Sequence, residues 1–160
     1  MCGGVRFTYQ PELDAQLAQF YTPEQLAVAH ARGVVESVFW QARPMLPVLR
    51  DGALQLVAWG NRERDLKLPQ TGWIRDDSLL AGKWDHLRPH EVIIPVFQGV
   101  EKKIWFDIDV GIRGFLVRRG SIERVYMLTE TASPAFRALT GHDRMPALID
   151  QTAIHPTLVH

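Results

Sequence analysis

Cysteine is nearly absent from the sequence, and long hydrophobic runs are missing altogether. The 160 residues include one cysteine, Cys2, so the chain cannot form an internal disulfide or a cysteine-rich zinc site. Apolar stretches such as 92–97 are much shorter than the roughly 20 residues that span a bilayer, which predicts no membrane helix. The N-terminus lacks a basic segment followed by an apolar one, so we expect no secretory leader and a cytoplasmic location.

An excess of charge of either sign is missing too. The 18 basic and 18 acidic side chains cancel, which argues against non-specific binding of nucleic acid over the whole surface. Arginine is concentrated locally between residues 111 and 124, where Arg113, Arg118, Arg119 and Arg124 accompany a single acid, Glu123. This segment is typical either of a local basic face or of a solvated strand-and-turn surface.

The pattern of apolar residues predicts one mainly β domain of the α+β class. A composition of 46% hydrophobic and 22% charged residues is that of a globular protein of one domain. We expect this domain to cover residues 1–152, with a weakly anchored tail at 153–160. Apolar runs and turn residues predict strands at 5–9, 46–50, 54–59, 92–97, 103–110, 114–117, 122–129 and 145–149.

Helical spacing of apolar residues is confined to the first quarter of the chain and to one later segment. A first helix is predicted over 11–20. Thr22 and Gln25 form the capping-box pattern of a second helix, whose apolar positions continue through Gly33 to Val38. Between the predicted strands, the polar segment 61–71 is a long loop, and such loops in compact domains are often functional.

The position of Cys2 carries the most chemical information. Aminopeptidases remove an initial methionine before a small residue, so we expect a mature chain in which Cys2 has both a thiol and an α-amine. Their reference pKa values, about 8.5 and about 7.7–8.0, leave both groups partly reactive at neutral pH. A 1,2-aminothiol closes a thiazolidine ring on an aldehyde; alternatively, the amine can act as base for the thiol, as in N-terminal nucleophile hydrolases. The simpler reading is an inert residue in a frayed terminus.

A second candidate site lies in the sequence His142-Asp143-Arg144, after a predicted short helix at 133–140 that Gly141 ends. Histidine titrates near neutrality and can act as an acid or a base. Arg144 could hold a phosphate or orient Asp143. A salt-bridged turn is the alternative reading of the same residues.

The ends of the chain together resemble the SOS response-associated peptidase (SRAP) family. The resemblance rests on the start Met-Cys-Gly, on Met127-Leu128-Thr129, and on the motif 141–146, Gly-His-Asp-Arg-Met-Pro. Between them, 44–49 is similar to a proline-containing strand of the family and 58–60 to its tryptophan-glycine motif. The resemblance implies a mostly β fold that binds single-stranded DNA and captures abasic sites covalently through its N-terminal cysteine, in the context of DNA damage.

The resemblance also implies roles for residues in the middle of the chain. Cys2 would form the thiazolidine, Glu101 would transfer protons, and His142 would contact the deoxyribose hydroxyl or shuttle protons. Removal of Met1 would be autocatalytic, as the family's peptidase label suggests. The resemblance makes Arg75 the expected phosphate clamp, and the further expected DNA contacts are Arg113, Arg118 and Arg144. Trp73 is our choice of base-stacking residue because the chain has five tryptophans, not because of the resemblance.

Two alternatives remain open at this stage. Met-Cys-Gly also begins N-terminal nucleophile amidohydrolases, and Trp73 stands where the family has asparagine, which is compatible with an inactive module that binds single-stranded DNA. We expect no cofactor, no metal, no membrane partner and a monomer. His86 and His90 lie four residues apart, but Pro89 argues against the helix that would make them metal ligands.

Overall fold

The chain folds mainly into β-sheet with a few short helices, which confirms the expected α+β class. The computed structural model describes residues 2–158. The strands are β1 (Gly4–Thr8), β2 (Val34–Val38), β3 (Met45–Arg50), β4 (Ala53–Ala58), β5 (Trp73–Arg75), β6 (His90–Ile94), β7 (Gln98–Glu101), β8 (Ile104–Asp107), β9 (Ile112–Arg119), β10 (Ile122–Thr131) and β11 (Arg144–Pro146). The helices are α1 (Asp14–Leu17), α2 (Pro23–Arg32), α3 (Asp76–Leu80) and α4 (Pro134–Thr140), with single 3-10 turns at Pro11–Leu13, Arg64–Leu66 and Asp85–Leu87.

The strands form two sheets. A four-stranded sheet has the order β2-β1-β7-β8, and a seven-stranded sheet has the order β11-β10-β9-β6-β3-β4, with β5 added beside β10. In the smaller sheet β1 is a central strand, since Gly4 is opposite Val38 on one side and Val100 on the other. The N-terminal segment is therefore fixed by hydrogen bonds on both sides.

Strand β10 organises the larger sheet. It pairs antiparallel with β9 and β11, and parallel with β5, where Arg75 is opposite Thr129. Its second half, from Val125 to Thr129, is buried on both faces. The last residues of β10 thus meet the start of β11 and the end of β5 at one place in the fold.

The helix predicted to run through Gly33 to Val38 is wrong. Helix α2 begins with the expected capping box of Thr22 and Gln25, but it ends at Gly33, which adopts φ +68 and donates its N–H to Ala29 O. The left-handed conformation at Gly33 terminates a helix at little cost because glycine has no Cβ. The valine-rich segment beyond it forms β2, where β-branched side chains pack well on a half-buried sheet.

Several other boundaries differ from the sequence prediction. The first helix is a 3-10 turn at Pro11–Leu13 followed by the single turn α1, rather than one helix over 11–20. The strands predicted at 92–97, 103–110 and 145–149 are observed as β6, β8 and β11, each shorter than expected. Strands β5 and β7 were not predicted. They have only three and four residues, which is too short to show the alternation of apolar and polar side chains that indicates a strand.

The C-terminal tail is anchored more firmly than the sequence suggests. The N–H of Asp107 donates to His155 O at 2.8 Å, and the N–H of Thr157 donates to Trp105 O at 2.9 Å. The Thr157 hydroxyl also donates to Asp107 Oδ1 at 2.8 Å. Residues 155–157 therefore extend the edge of the smaller sheet beside β8.

Most of the buried apolar side chains form one cluster between the two sheets, with Trp59, Phe7 and Phe106 among its largest members. A second cluster around Tyr126 and Trp84 covers the other face of the larger sheet. Among residues 2–158, the helices are too short and too polar to cross a membrane.

Candidate functional site around Cys2

Cys2 is completely buried just before β1, and the backbone of the next residue is held on both sides. The neighbouring Gly3 donates its N–H to Val100 O at 2.9 Å, and Gly3 O accepts from Phe39 N–H at 3.0 Å. The Cys2 thiol donates to Gly4 O at 3.0 Å. The frayed terminus that was the simpler reading of the sequence is therefore not observed for residues 2–4.

The thiol of Cys2 is poorly ionised in this environment. Burial raises the pKa of the Cys2 thiol from 9.0 to about 12, and the negative charge of Glu101 acts in the same direction. Gly99 permits this burial, because a Cβ on Gly99 would lie 3.0 Å from Cys2 Sγ and 2.8 Å from Phe106 Cζ. A nucleophilic thiolate at Cys2 thus requires a base that removes its proton during reaction.

Glu101 is the charged group that the fold brings to Cys2. It ends β7 and is buried, with 6% of its surface exposed. The two-residue turn that follows consists of Lys102 and Lys103 at φ +48 and +69, both in the left-handed region. This turn type normally contains Asn-Gly, so two lysines raise the energy of the turn that fixes Glu101.

Trp73 supports the backbone of Cys2. Its indole N–H donates to Cys2 O at 2.9 Å, and its ring packs against Phe39 and Trp59 at centroid distances of 4.9 and 5.9 Å. We expected Trp73 to stack on bases, but the ring is half-buried inside this aromatic cluster. Its observed contacts are those of a positioning residue.

His142 and Arg144 lie where α4 leads into β11. Gly141 ends α4 at φ +74, and His142 Nδ1 then accepts the N–H of Arg144 at 3.1 Å. Arg144 is buried, and its Nη2 donates to Asp76 Oδ1 at 2.8 Å and to Thr129 O at 2.8 Å. The guanidinium of Arg144 therefore ties β11 to β10 and α3, a role closer to the salt-bridged turn than to the phosphate contact we expected.

Arg75 is exposed at the same end of β10 as Arg144. Its guanidinium holds Asp77 through two hydrogen bonds, at 2.9 and 2.8 Å, and it lowers the pKa of Asp77 to about 2. Both side chains are more than half exposed, which makes this ion pair cheap to break. Nearby, burial and the charge of Asp76 raise the pKa of Glu130. The carboxylates near Arg75 are those of Asp76, Asp77 and Glu130, and the positive charges of Arg75 and Arg144 are each already paired with an aspartate.

The structure connects some of the predicted residues and separates others. Trp73 joins Cys2 to β5, and the pairing of β5 and β11 with the end of β10 brings Arg75 close to Arg144. Arg113 instead pairs with Glu91 on β6, at 2.6 Å. Arg118 pairs with Glu123 at the opposite end of β10, at 2.9 Å. Neither of these two arginines adjoins Cys2.

Two exposed side chains near Cys2 were not singled out from the sequence. Trp40 is 71% exposed, and its ring contacts Phe39 edge-to-face at a centroid distance of 5.2 Å. Arg62 lies 5.7 Å from the Phe39 ring and donates to Gln41 O at 2.7 Å, so it holds the turn that presents Trp40. The sequence shows two adjacent aromatic residues, Phe39 and Trp40, but it does not show that Phe39 is buried and Trp40 is exposed.

The chain matches no family model, no curated protein and no solved structure. Within residues 2–158, no group of three or more His, Cys, Asp or Glu side chains is arranged to hold a metal ion. The contacts around Cys2 are therefore the observations from which a function can be argued.

Proposed function

We propose that a chain beginning at Cys2 binds single-stranded DNA and captures abasic sites as a thiazolidine, the activity that the resemblance to the SRAP family implies. The observation that carries the proposal is the buried Cys2 beside the carboxylate of Glu101. A free α-amine at Cys2 would belong to the same residue as this thiol. Removal of Met1, by the protein itself or by an aminopeptidase, generates that amine.

The proposed reaction joins the aldehyde of a ring-opened abasic site to both groups of Cys2. The amine adds to the aldehyde carbon, water leaves, and an imine forms. The thiol sulfur then bonds to the imine carbon while the imine nitrogen gains a proton, so the net change is loss of one water. Because burial raises the pKa of the Cys2 thiol, a base must take its proton, and Glu101, whose charge acts on this thiol, is assigned to accept the proton and return it to nitrogen.

His142 is proposed to act on the sugar rather than on the sulfur. Its ring is partly exposed, with 24% of the side-chain surface accessible, and its Nδ1 is held by the N–H of Arg144. That contact fixes the orientation of the ring. The hydroxyl that an abasic deoxyribose releases on ring opening is a suitable partner for such a group.

The proposed path of the DNA strand crosses the exposed face formed by Trp40 and Arg62. An exposed indole on a rigid aromatic base provides a stacking surface for a nucleobase, and Arg62 adds positive charge. A backbone phosphate can also replace Asp77 as partner of Arg75, because an exposed ion pair contributes little stability. The buried guanidinium of Arg144 does not take part.

The test is the intact mass of the protein before and after incubation with a single-stranded oligonucleotide that carries one abasic site. The chain should be prepared so that it begins at Cys2. We expect a stable mass increase equal to the oligonucleotide minus one water, its loss in Cys2→Ala, and slower formation in Glu101→Gln. Glu91→Gln is the matched control, since Glu91 is exposed and pairs with Arg113 far from Cys2.

The alternatives give different results in the same experiment. An equal adduct in Cys2→Ala would exclude capture by the thiol. Salt-sensitive binding of undamaged single strands without any adduct would support the inactive binding module, and release of ammonia from glutamine would support the amidohydrolase.

A further inference from the structure

A cavity lies where β10 begins, away from the contact between Trp73 and Cys2 that adjoins the second half of the same strand. It has a volume of about 460 Å³ and is formed where the end of β3, the start of β6, the end of β9 and the start of β10 lie together at one end of the larger sheet. Its polar lining consists of Arg50, His86, Arg88, His90, Arg118 and Glu123, which we call the distal pocket. Ligand sites in proteins are typically about 300–1,000 Å³, so the volume suits a small molecule.

The arginines of the distal pocket are held by one carboxylate. Glu123 accepts from Arg50 Nη1 at 2.8 Å and from Arg118 Nη2 at 2.9 Å. Glu123 is mostly buried, with 22% of its side chain exposed, whereas Arg118 is 66% exposed. The bridging carboxylate therefore fixes two guanidinium groups side by side on the pocket wall.

Hydrogen-bond donors remain on both guanidinium groups. Within residues 2–158, Arg50 uses only Nη1 and Arg118 only Nη2 in hydrogen bonds to other groups. With Arg88 included, three arginines against one glutamate leave two positive charges in excess. His86 and His90, which the sequence analysis placed in a loop, here contribute two further ring systems to the same wall.

Arg88 is held in the pocket at a conformational cost. It adopts φ +50 directly before Pro89, although only glycine enters the left-handed region freely. Its N–H donates to Asp85 O at 3.0 Å, which closes the short turn that presents it. Such strained residues are found where the surrounding structure requires a particular placement of the side chain.

The distal pocket is separate from the Cys2 site. On β10, Glu123 lines the distal pocket and Met127 lies opposite Trp73, which is bonded to Cys2; the two residues are about 13 Å apart at the ordinary rise of roughly 3.3 Å per strand residue. A ligand of the distal pocket consequently need not be the substrate at Cys2.

We propose that the distal pocket binds a phosphoryl group. Guanidinium groups match the oxygens of phosphate through paired hydrogen bonds, and here two of them are already fixed by Glu123 with donors to spare. The group can come from a small phosphomonoester or from a nucleic-acid backbone. The inference does not depend on the function assigned to Cys2.

The test is a titration of the ¹⁵N-labelled full chain, followed by amide chemical shifts at constant ionic strength. Inorganic phosphate and adenosine 5′-monophosphate should shift amides near 86–90 and 118–123 with saturation, whereas adenosine should not. An oligothymidylate without terminal phosphate identifies the source: shifts of the same amides indicate a nucleic-acid backbone, and their absence indicates a small phosphomonoester.

Variants decide whether the effect is specific. Arg118→Ala should weaken phosphate binding about tenfold, as expected for one lost guanidinium contact. Arg119→Ala removes the same charge from the adjacent, exposed residue of β9 and should leave affinity unchanged. Arg88→Ala is a second pocket variant, outside the strands. Equal losses in Arg118→Ala and Arg119→Ala, or a response to phosphate without saturation, would overturn the proposal.

Discussion

Alkylation of Cys2 tests the central feature of the candidate site without any assumption about function. Burial raises the thiol pKa from 9.0 to about 12, so at pH 8 the folded chain contains about 1,000 times less thiolate than the unfolded chain. Because alkylation proceeds through the thiolate, the rate should fall at least by that factor. Steric exclusion of the reagent from a side chain with 0% exposure reduces it further.

The measurement is the mass increase with iodoacetamide over time, in buffer and in concentrated guanidinium chloride. Interpretation is simple because the chain has a single cysteine. Gly99→Ala should accelerate labelling of the folded chain, since the new Cβ competes with Cys2 Sγ and Phe106 for the same space. Labelling of the native protein at a rate near that of the unfolded protein would refute the burial argument.

The remaining predictions concern stability and are measured by denaturant unfolding. Above pH 9 the unfolded chain loses the Cys2 thiol proton, whereas the folded chain keeps it up to about pH 12. The free energy of unfolding should therefore fall by up to ~1.4 kcal/mol per pH unit between about pH 9 and 12. Cys2→Ala should reduce that slope. Trp73→Phe removes the bond to Cys2 O and should cost ~1 kcal/mol, with no such loss at exposed Trp40→Phe. Replacing Lys102 and Lys103 with Asn-Gly should stabilise the turn by ~1 kcal/mol, and a decrease would contradict the strain assigned to it. Gly33→Ala should cost ~1 kcal/mol through its left-handed backbone alone, since nothing lies within 4 Å of the new Cβ.

Local signals in the sequence were reliable where short-range chemistry decides the structure. The capping box at Thr22 and Gln25 begins α2, and Ser133 and Gly141 bound α4. In each case a side chain or a glycine satisfies backbone groups within a few residues. Such arrangements need no information from the rest of the fold.

The sequence failed where distant contacts decide the outcome. The valines after Gly33 fit a helix or a strand, and β1 as a pairing partner selects the strand. Nothing local shows that Trp73 donates to Cys2 O, 71 residues away, or that Arg144 is buried by Asp76 and Thr129. The position of Cys2 in the sequence was enough to mark it as a candidate nucleophile. Its burial and its contacts with Trp73 and Glu101 could not be predicted from the sequence.

The central place of β1 in the smaller sheet has a consequence for synthesis of the protein. Gly4 is opposite Val100, so this sheet cannot close until about 100 residues have left the ribosome. At roughly 5–20 residues per second, the first strand waits for about 5–20 seconds without its partner on that side. During this interval the segment around Cys2 is exposed, and the thiol has the acidity of an ordinary cysteine. Completion of β7 then encloses Cys2, so the thiol loses its ordinary acidity only after the first hundred residues have been made.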